Sequence, residues 1–261
     1  MRYAASVEYE GTNFSGWQRQ SSVLSVQEEI EKAISSITQT SIEIQGAGRT
    51  DAGVHALGQI FHFDTDVIRP IKSIIKGTNS FLPDSIRIKW VKEVSSDFHA
   101  RFSALSREYQ YLLNNNSINS SIWVNNCGWT FYDLDSELIK LACSKFIGQH
   151  DFSTFRSSEC QAKSPIRTIK SFNFEQFKNF YLFTISGDGF LHHQIRNIIA
   201  TIINVGRKEI EVDYIETLIR KKDRSLAPAT FSPNGLYLTN IKYDKIWSLP
   251  DRENTLNIFK V

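Results

Sequence analysis

The order of elements along the chain predicts an α+β fold built from two ferredoxin-like (βαββαβ) units, residues 1–104 and 105–261. The units are expected to form a broad mixed, mainly antiparallel sheet with helices on one face and a cleft between them. Three observations predict this. Through residue 94, stretches of period-two and period-3.6 hydrophobicity succeed one another as β-α-β-β-α-β. The same order recurs after residue 105 with looser spacing and no sequence identity between the halves. Finally, 261 residues, 41% hydrophobic and 22% charged, give an ordinary globular composition with enough chain for two cores.

Arg2 to Glu10 alternates apolar and polar as a half-buried strand does. Gly11 to Ser22 reads as a loop. Ser25 followed three residues on by Glu28 is a capping box, and Val26, Ile30, Ala33, Ile34 and Ile37 behind it make one helical stripe. Ile42 and Ile44 start a short strand that runs into Gly46-Ala47-Gly48. A third strand, Ala56 to Phe63, places Leu57, Gln59, Phe61 and Phe63 on one side. Pro70 suits the first turn of a helix carrying Ile71, Ile74 and Ile75, and Ile86, Ile88 and Trp90 alternate in the strand that closes the half. In the second half Tyr109 to Leu113 is strand-like. Leu134 to Ile147 is a helix with Leu138, Leu141, Ala142 and Phe146 inward. Ile166 to Phe174 and Phe180 to Ile185 pair as strands. Leu191 to Val205 is a helix stopped by Gly206, Val212 to Arg220 a further helix, and Leu236 to Tyr243 the last strand.

Cys127, Cys143 and Cys160 are too far apart for a CxxC pair, so reduced thiols are expected rather than a zinc or disulfide framework. No run of about 18 apolar residues occurs, and the alternating start MRYAASVEYE does not read as a secretory signal. A cytoplasmic protein with no membrane contact is therefore expected. The net charge of +2 says little about a polyanionic partner, which would need positive charge gathered on one face.

The most informative stretch is GAGRTDAGVHALGQIFH, Gly46 to His62. Glycines surround a lone carboxylate, Asp51, between two strands, with Arg49 and Thr50 beside it. Glycine allows close backbone approaches that a Cβ would block, so the spacing suits a carboxylate held on a tight loop. The same spacing also suits a turn in which the Asp caps backbone amides. In the following half, Arg196 lines up with Ile199 and Ile203 at the edge of an apolar helical stripe. A guanidinium there is partly buried and needs a partner, unless it snorkels to solvent.

GRTDAGVH, Gly48 to His55, resembles the signature of the tRNA pseudouridine synthase A (TruA) family. Further segments resemble that family in the same order: Tyr9 to Gln20, Phe98 to Tyr111, Asp151 to Arg156, Ser164 to Ile169, Gly189 to Ile198 and Leu226 to Leu238. The likeness spans nearly the whole chain, departing at Glu10, where Asp is usual, and at Gln194-Ile195, where Met-Val is common. It implies an isomerase, a tRNA pseudouridine synthase that converts uridine at positions 38, 39 and 40 of the anticodon stem-loop without a cofactor or metal. It further implies a homodimer in which one RNA touches both subunits. Asp51 maps onto the nucleophile, which adds to the base or assists elimination at the sugar. Arg196 maps onto the cation paired with it, and Tyr109 onto the aromatic packed against the target base. Arg49 maps onto a helper that fills the space of the flipped nucleotide or holds its phosphate.

Tyr109, Arg49, Arg19, Arg101 and Arg107 are the expected substrate-binding residues, with Arg69, Lys72, Lys76, Arg156, Lys163, Arg167, Arg207 and Lys208 as further basic groups that could line an RNA groove. Arg220, Lys221, Lys222 and Arg224 are either a solvated helix end or an RNA contact. Phe14 and Trp17 either stack on RNA or anchor their loop. His55, His62, His192 and His193 with Asp51, Asp64 and Asp66 give a competing reading as a metal-dependent phosphoesterase. It is disfavoured because adjacent helical residues point about 100° apart and rarely chelate together. A non-catalytic RNA-binding protein is the other alternative.

Overall fold

The computed structural model describes residues 1–250 and 255–256. In chain order the strands and helices are β1 (Arg2–Tyr9), α1 (Val26–Thr38), β2 (Ile44–Gly46), β3 (His55–Asp64), α2 (Ile71–Phe81), β4 (Ile86–Val94), β5 (Ala104–Asn115), β6 (Gly128–Thr130), α3 (Ser136–Ser144), β7 (Gly148–Asp151), β8 (Ile166–Phe177), β9 (Phe180–Gly187), α4 (Gln194–Gly206), α5 (Tyr214–Lys221) and β10 (Leu236–Tyr243). They fall into two compact units. One comprises Met1–Arg107 together with the described residues from Tyr237 on, and the other Glu108–Leu236.

The first unit has the expected βαββαβ order. Its strands run β4-β1-β3, antiparallel throughout, with β2 antiparallel on the far edge of β3. That is the ferredoxin-like arrangement. β2 occupies only the Phe61–Phe63 end of that edge. β10 takes the other end in parallel, Tyr237 opposite His55 and Leu238 opposite Ala56. This pairing puts the last strand with the first unit, although its place in the sequence suggested the second. β3 is flanked on both edges and also buried on both faces, Ala56, Ile60 and His62 on one and Phe61 and Phe63 on the other. Ser25 caps α1 as the sequence predicts, its Oγ accepting from the Glu28 amide at 3.3 Å. Val26, Ile30, Ala33 and Ile34 are buried, and α1 packs against α2.

In the second unit the strands run β5-β9-β8-β7, with β6 parallel to β5 and β7, β8 and β9 antiparallel. The α+β class with a mixed, mainly antiparallel sheet is thus realised. α3 packs on α4 and β8. Its inward residues are Ile139, Ala142 and Cys143, while Leu141, expected inward, is 54% exposed. The packing against α4 and β8 takes the Ile139-Ala142-Cys143 face instead, and Asp135 caps the helix, accepting from the amides of Glu137 and Leu138. α4 begins at Gln194 rather than Leu191, because His193 takes a left-handed conformation, φ 64°. Among the described residues no helix is long and apolar enough to cross a membrane.

Candidate active site

Asp51 sits on the loop between β2 and β3, and that loop is tied down residue by residue. The Ala47 amide donates to the Ile60 carbonyl at 2.7 Å, and Gln59 Nε2 donates to the Gly48 carbonyl at 2.7 Å. Thr50 Oγ1 and the Tyr9 hydroxyl share a buried hydrogen bond of 2.8 Å. The Val54 amide closes a turn on the Asp51 carbonyl at 3.2 Å. The loop of residues 11–20 lies against this segment. The Trp17 amide donates to the Thr50 carbonyl at 3.1 Å, and the Gly53 amide to Phe14. Gly16 makes that approach possible: its φ is +89°, and a Cβ would stand 2.5 Å from the Thr50 oxygen. Phe14 and Trp17 are 5% and 2% exposed, so they anchor their loop rather than present a face to a ligand. His55 accepts from the Gly11 amide through Nδ1 at 2.9 Å and stacks on Tyr237. The result is a half-buried carboxylate, with Arg49 exposed beside it, on a backbone whose turns are satisfied before any substrate binds.

The segment that links β4 to β5 is fastened to the same loop. Arg107 donates through Nη2 to the carbonyls of Ala47, at 3.0 Å, and Arg101, at 2.7 Å. The Ala100 amide donates to His62 Nδ1 at 3.2 Å, and the Tyr243 hydroxyl to the Ala100 carbonyl at 2.6 Å. Burial, reinforced by His99 and Arg2, pushes His62 down to about 4. Its ring is therefore the neutral acceptor that the Ala100 amide requires. Burial likewise pushes the Tyr243 phenol up.

In the second unit Tyr109 lies on β5, 7% exposed, with Phe190 edge-on at 5.3 Å between ring centroids. Arg196 lies in the first turn of α4. The turn before it is closed by Gln194, whose Oε1 accepts from the Leu191 amide at 2.8 Å and whose own amide donates to the Leu191 carbonyl. Arg196 donates through Nε to the Phe231 carbonyl at 2.9 Å. Its neighbour Asn197, fully buried, accepts at Oδ1 from Thr230, at 2.7 Å, and from Arg224, at 3.1 Å. Arg224 also donates to the Ala227 carbonyl.

A family model described as tRNA pseudouridine synthase matches residues 5–103 and 142–244. Proteins named tRNA pseudouridine synthase A are similar along their whole length. The one from Nitrosomonas eutropha is 44% identical over 260 residues, 100% of this chain and 92% of its own. That from Methylobacillus flagellatus is 42% identical over 258 residues, 99% of both chains. The Janthinobacterium protein is 45% identical over 258 residues, 97% of this chain and 95% of its own. The chain belongs to the tRNA pseudouridine synthase family.

For a tRNA pseudouridine synthase, a family of isomerases, the site residues expected from sequence fall as follows. Asp51 and Arg49 share one loop of the first unit, inside the first matched stretch, and Arg196 lies inside the second. Tyr109 lies on β5, between the two stretches. Arg19 is engaged by Glu31 at 2.8 Å and by Glu43 at 3.7 Å, where it neutralises the otherwise buried Glu31. Arg107 binds main-chain carbonyls, and Arg101 is exposed. The basic run at the end of α5 divides. Arg220, Lys221 and Lys222 are exposed, Lys222 pairing with Asp151 at 3.0 Å, while Arg224 turns inward to Asn197. Asn197 and Thr230 flank the contact of Arg196 with Phe231 and were not singled out from sequence, and Arg224 was read only as one of a basic run. Thr230 nonetheless stands inside the Leu226 to Leu238 motif, which was the available signal.

Proposed function

We propose that this chain isomerises uridine to pseudouridine in transfer RNA, at positions 38, 39 and 40 of the anticodon stem-loop, with Asp51 as nucleophile and no cofactor. The observation that carries the reading is the Asp51 loop. Its turn is fixed by side chains and by a second loop, so the backbone that presents the carboxylate needs no ordering when substrate arrives. Family membership supports the same assignment. The reaction breaks the N1–C1′ bond, rotates the freed uracil and forms C1′–C5. The C5 proton is lost and N1 is protonated, so atoms and charge balance without an oxidant or reductant. An ionised carboxylate serves either by adding to the base or by assisting departure of the base from the sugar. Arg196 supplies the cation that favours the carboxylate anion away from water. Tyr109 offers the base a ring face and a phenol. The target uridine is extruded from its stem, with Arg49 at its vacated place or its phosphate. Arg19, Arg101 and Arg107 add positive charge toward the backbone. The enzyme acts in the cytoplasm as a homodimer.

Purified protein incubated with an unmodified transfer-RNA transcript tests this directly. Mapping should find pseudouridine at the anticodon stem-loop with wild-type protein and none with Asp51→Ala, while the variant still binds the transcript. Conversion by Asp51→Ala at the wild-type rate would remove Asp51 from the role. Binding without conversion by the wild type would favour a purely RNA-binding protein.

A further inference from the structure

Phe102 is the most conspicuous aromatic on the first unit: 76% of it is exposed, at the tip of the turn that follows β4. The turn is closed on itself. His99 Nδ1 accepts from the amides of both Arg101, at 3.2 Å, and Phe102, at 3.4 Å. The Ser103 amide donates to the His99 carbonyl at 2.9 Å, and the His99 amide to Ser103 Oγ at 3.1 Å. Below the tip, Phe98 is fully buried against Tyr243 and Trp247. Arg107 grips the Arg101 carbonyl and the start of the Asp51 loop with the same nitrogen. The ring itself is set by two neighbours, the His99 imidazole at 4.3 Å and the Arg101 guanidinium 5.7 Å from its centroid. So a fixed turn holds a large apolar ring in water, where it forgoes burial, with a guanidinium over it. A flat apolar face beside a guanidinium complements a nucleobase and the phosphate attached to it.

We propose that Phe102 is a stacking platform for an unpaired base of the transfer RNA, with Arg101 holding the adjoining phosphate. The site lies on the body that carries Asp51 and is separate from the residues assigned to the chemistry. The inference rests on the reading of the substrate as transfer RNA. It does not depend on which residue is the nucleophile.

Binding of an unmodified transfer-RNA transcript, titrated across a salt series, tests it. Phe102→Ala should weaken binding roughly 5- to 150-fold without changing the salt slope, because stacking releases no counterions. Phe102→Trp should restore affinity and Phe102→Leu should not, since leucine supplies apolar area but no π face. Arg101→Ala should reduce the salt slope by about one. Equal binding by Phe102→Ala and wild type, in protein that converts uridine normally, would overturn the platform and leave the proposed activity standing. Wild-type protein that fails to bind the transcript would overturn both. Sedimentation of each variant covers a second copy of this chain as the occupant: a Phe102→Ala protein that changes its oligomeric state would assign the face to self-association and overturn the proposal.

Discussion

Arg196 and Phe231 are joined side chain to main chain, the guanidinium Nε donating to the carbonyl oxygen at 2.9 Å. The residues next to each are joined as well, Thr230 Oγ1 donating to Asn197 Oδ1 at 2.7 Å. Two adjacent positions on α4 are thus fastened to two adjacent positions of the 226–236 segment, and Arg224 closes the set by donating to both Asn197 and Thr230. With Nε committed to a carbonyl, the guanidinium is fixed about its long axis, and its two amino groups are the ones that can face an anion.

Thr230→Val keeps the shape of the side chain and deletes the hydroxyl. Unfolding in urea should show a loss of about 1–2 kcal/mol, since the hydroxyl both donates to Asn197 and accepts from Arg224 at a part-buried site. If the segment orients Arg196, kcat for pseudouridine formation should also fall roughly tenfold, with KM for transfer RNA unchanged. Thr230→Ser, which keeps the donor, should recover kcat. A stability loss with unaltered kcat would make the contact purely structural.

Gly16→Ala is expected to be severe for a small change. The new Cβ would stand 2.5 Å from the Thr50 carbonyl oxygen in a backbone with φ +89°. Relief requires moving either its own loop or the Asp51 loop, so we expect a destabilisation of about 2–3 kcal/mol and loss of turnover in the protein that remains folded. Gly189→Ala is the control, since its Cβ would meet only the Arg167 side chain at ordinary contact distance, 3.6 Å or more. Calorimetry of the two variants should separate them by several degrees.

Trp17→Ala should behave as a core deletion. The indole is 2% exposed, tilted against Tyr9 and Phe61, and its backbone amide holds Thr50. A loss of about 3–5 kcal/mol is expected. Transfer-RNA affinity per folded molecule should stay within a factor of about two, because a stacked base is worth ~1–3 kcal/mol and none is assigned to this ring.

What the sequence made legible was governed by local spacing. The Asp51 loop was readable because its glycines, its Asp and its flanking strands are contiguous. The stripe of α1 was readable because its cap is also local. Other features are decided by contacts distant in sequence. Arg224 stands in a run of basic residues, and nothing in that run shows that it folds back onto Asn197. Phe14 and Trp17 could equally have faced a ligand; the glycines that let their loop lie on the Asp51 segment decide otherwise. α4 continues an apolar stripe through Leu191, yet a left-handed His193 postpones the helix to Gln194. β6 and β7, three and four residues long, are too short for alternation to declare itself.

His62 should make stability depend on pH between its ordinary value of 6.5 and its folded value of about 4. In that window the unfolded chain takes up a proton and the folded chain does not, so acid favours unfolding. The contribution is fully present above about 6.5 and is lost progressively as pH falls toward about 4. A tenfold difference in acidity is worth about 1.4 kcal/mol, so the total reaches ~3 kcal/mol. The neighbouring His99 is displaced in the same direction and adds to the slope. The physical cost is specific: protonating His62 at Nδ1 removes the acceptor of the Ala100 amide, in the segment that Arg107 ties to the Asp51 loop. Urea titrations at pH 7.5 and pH 5 should therefore show a drop in wild-type stability that is much reduced in His62→Asn, whose side-chain oxygen can accept a hydrogen bond but does not titrate. An equal drop in both proteins would mean that other groups carry the acid sensitivity.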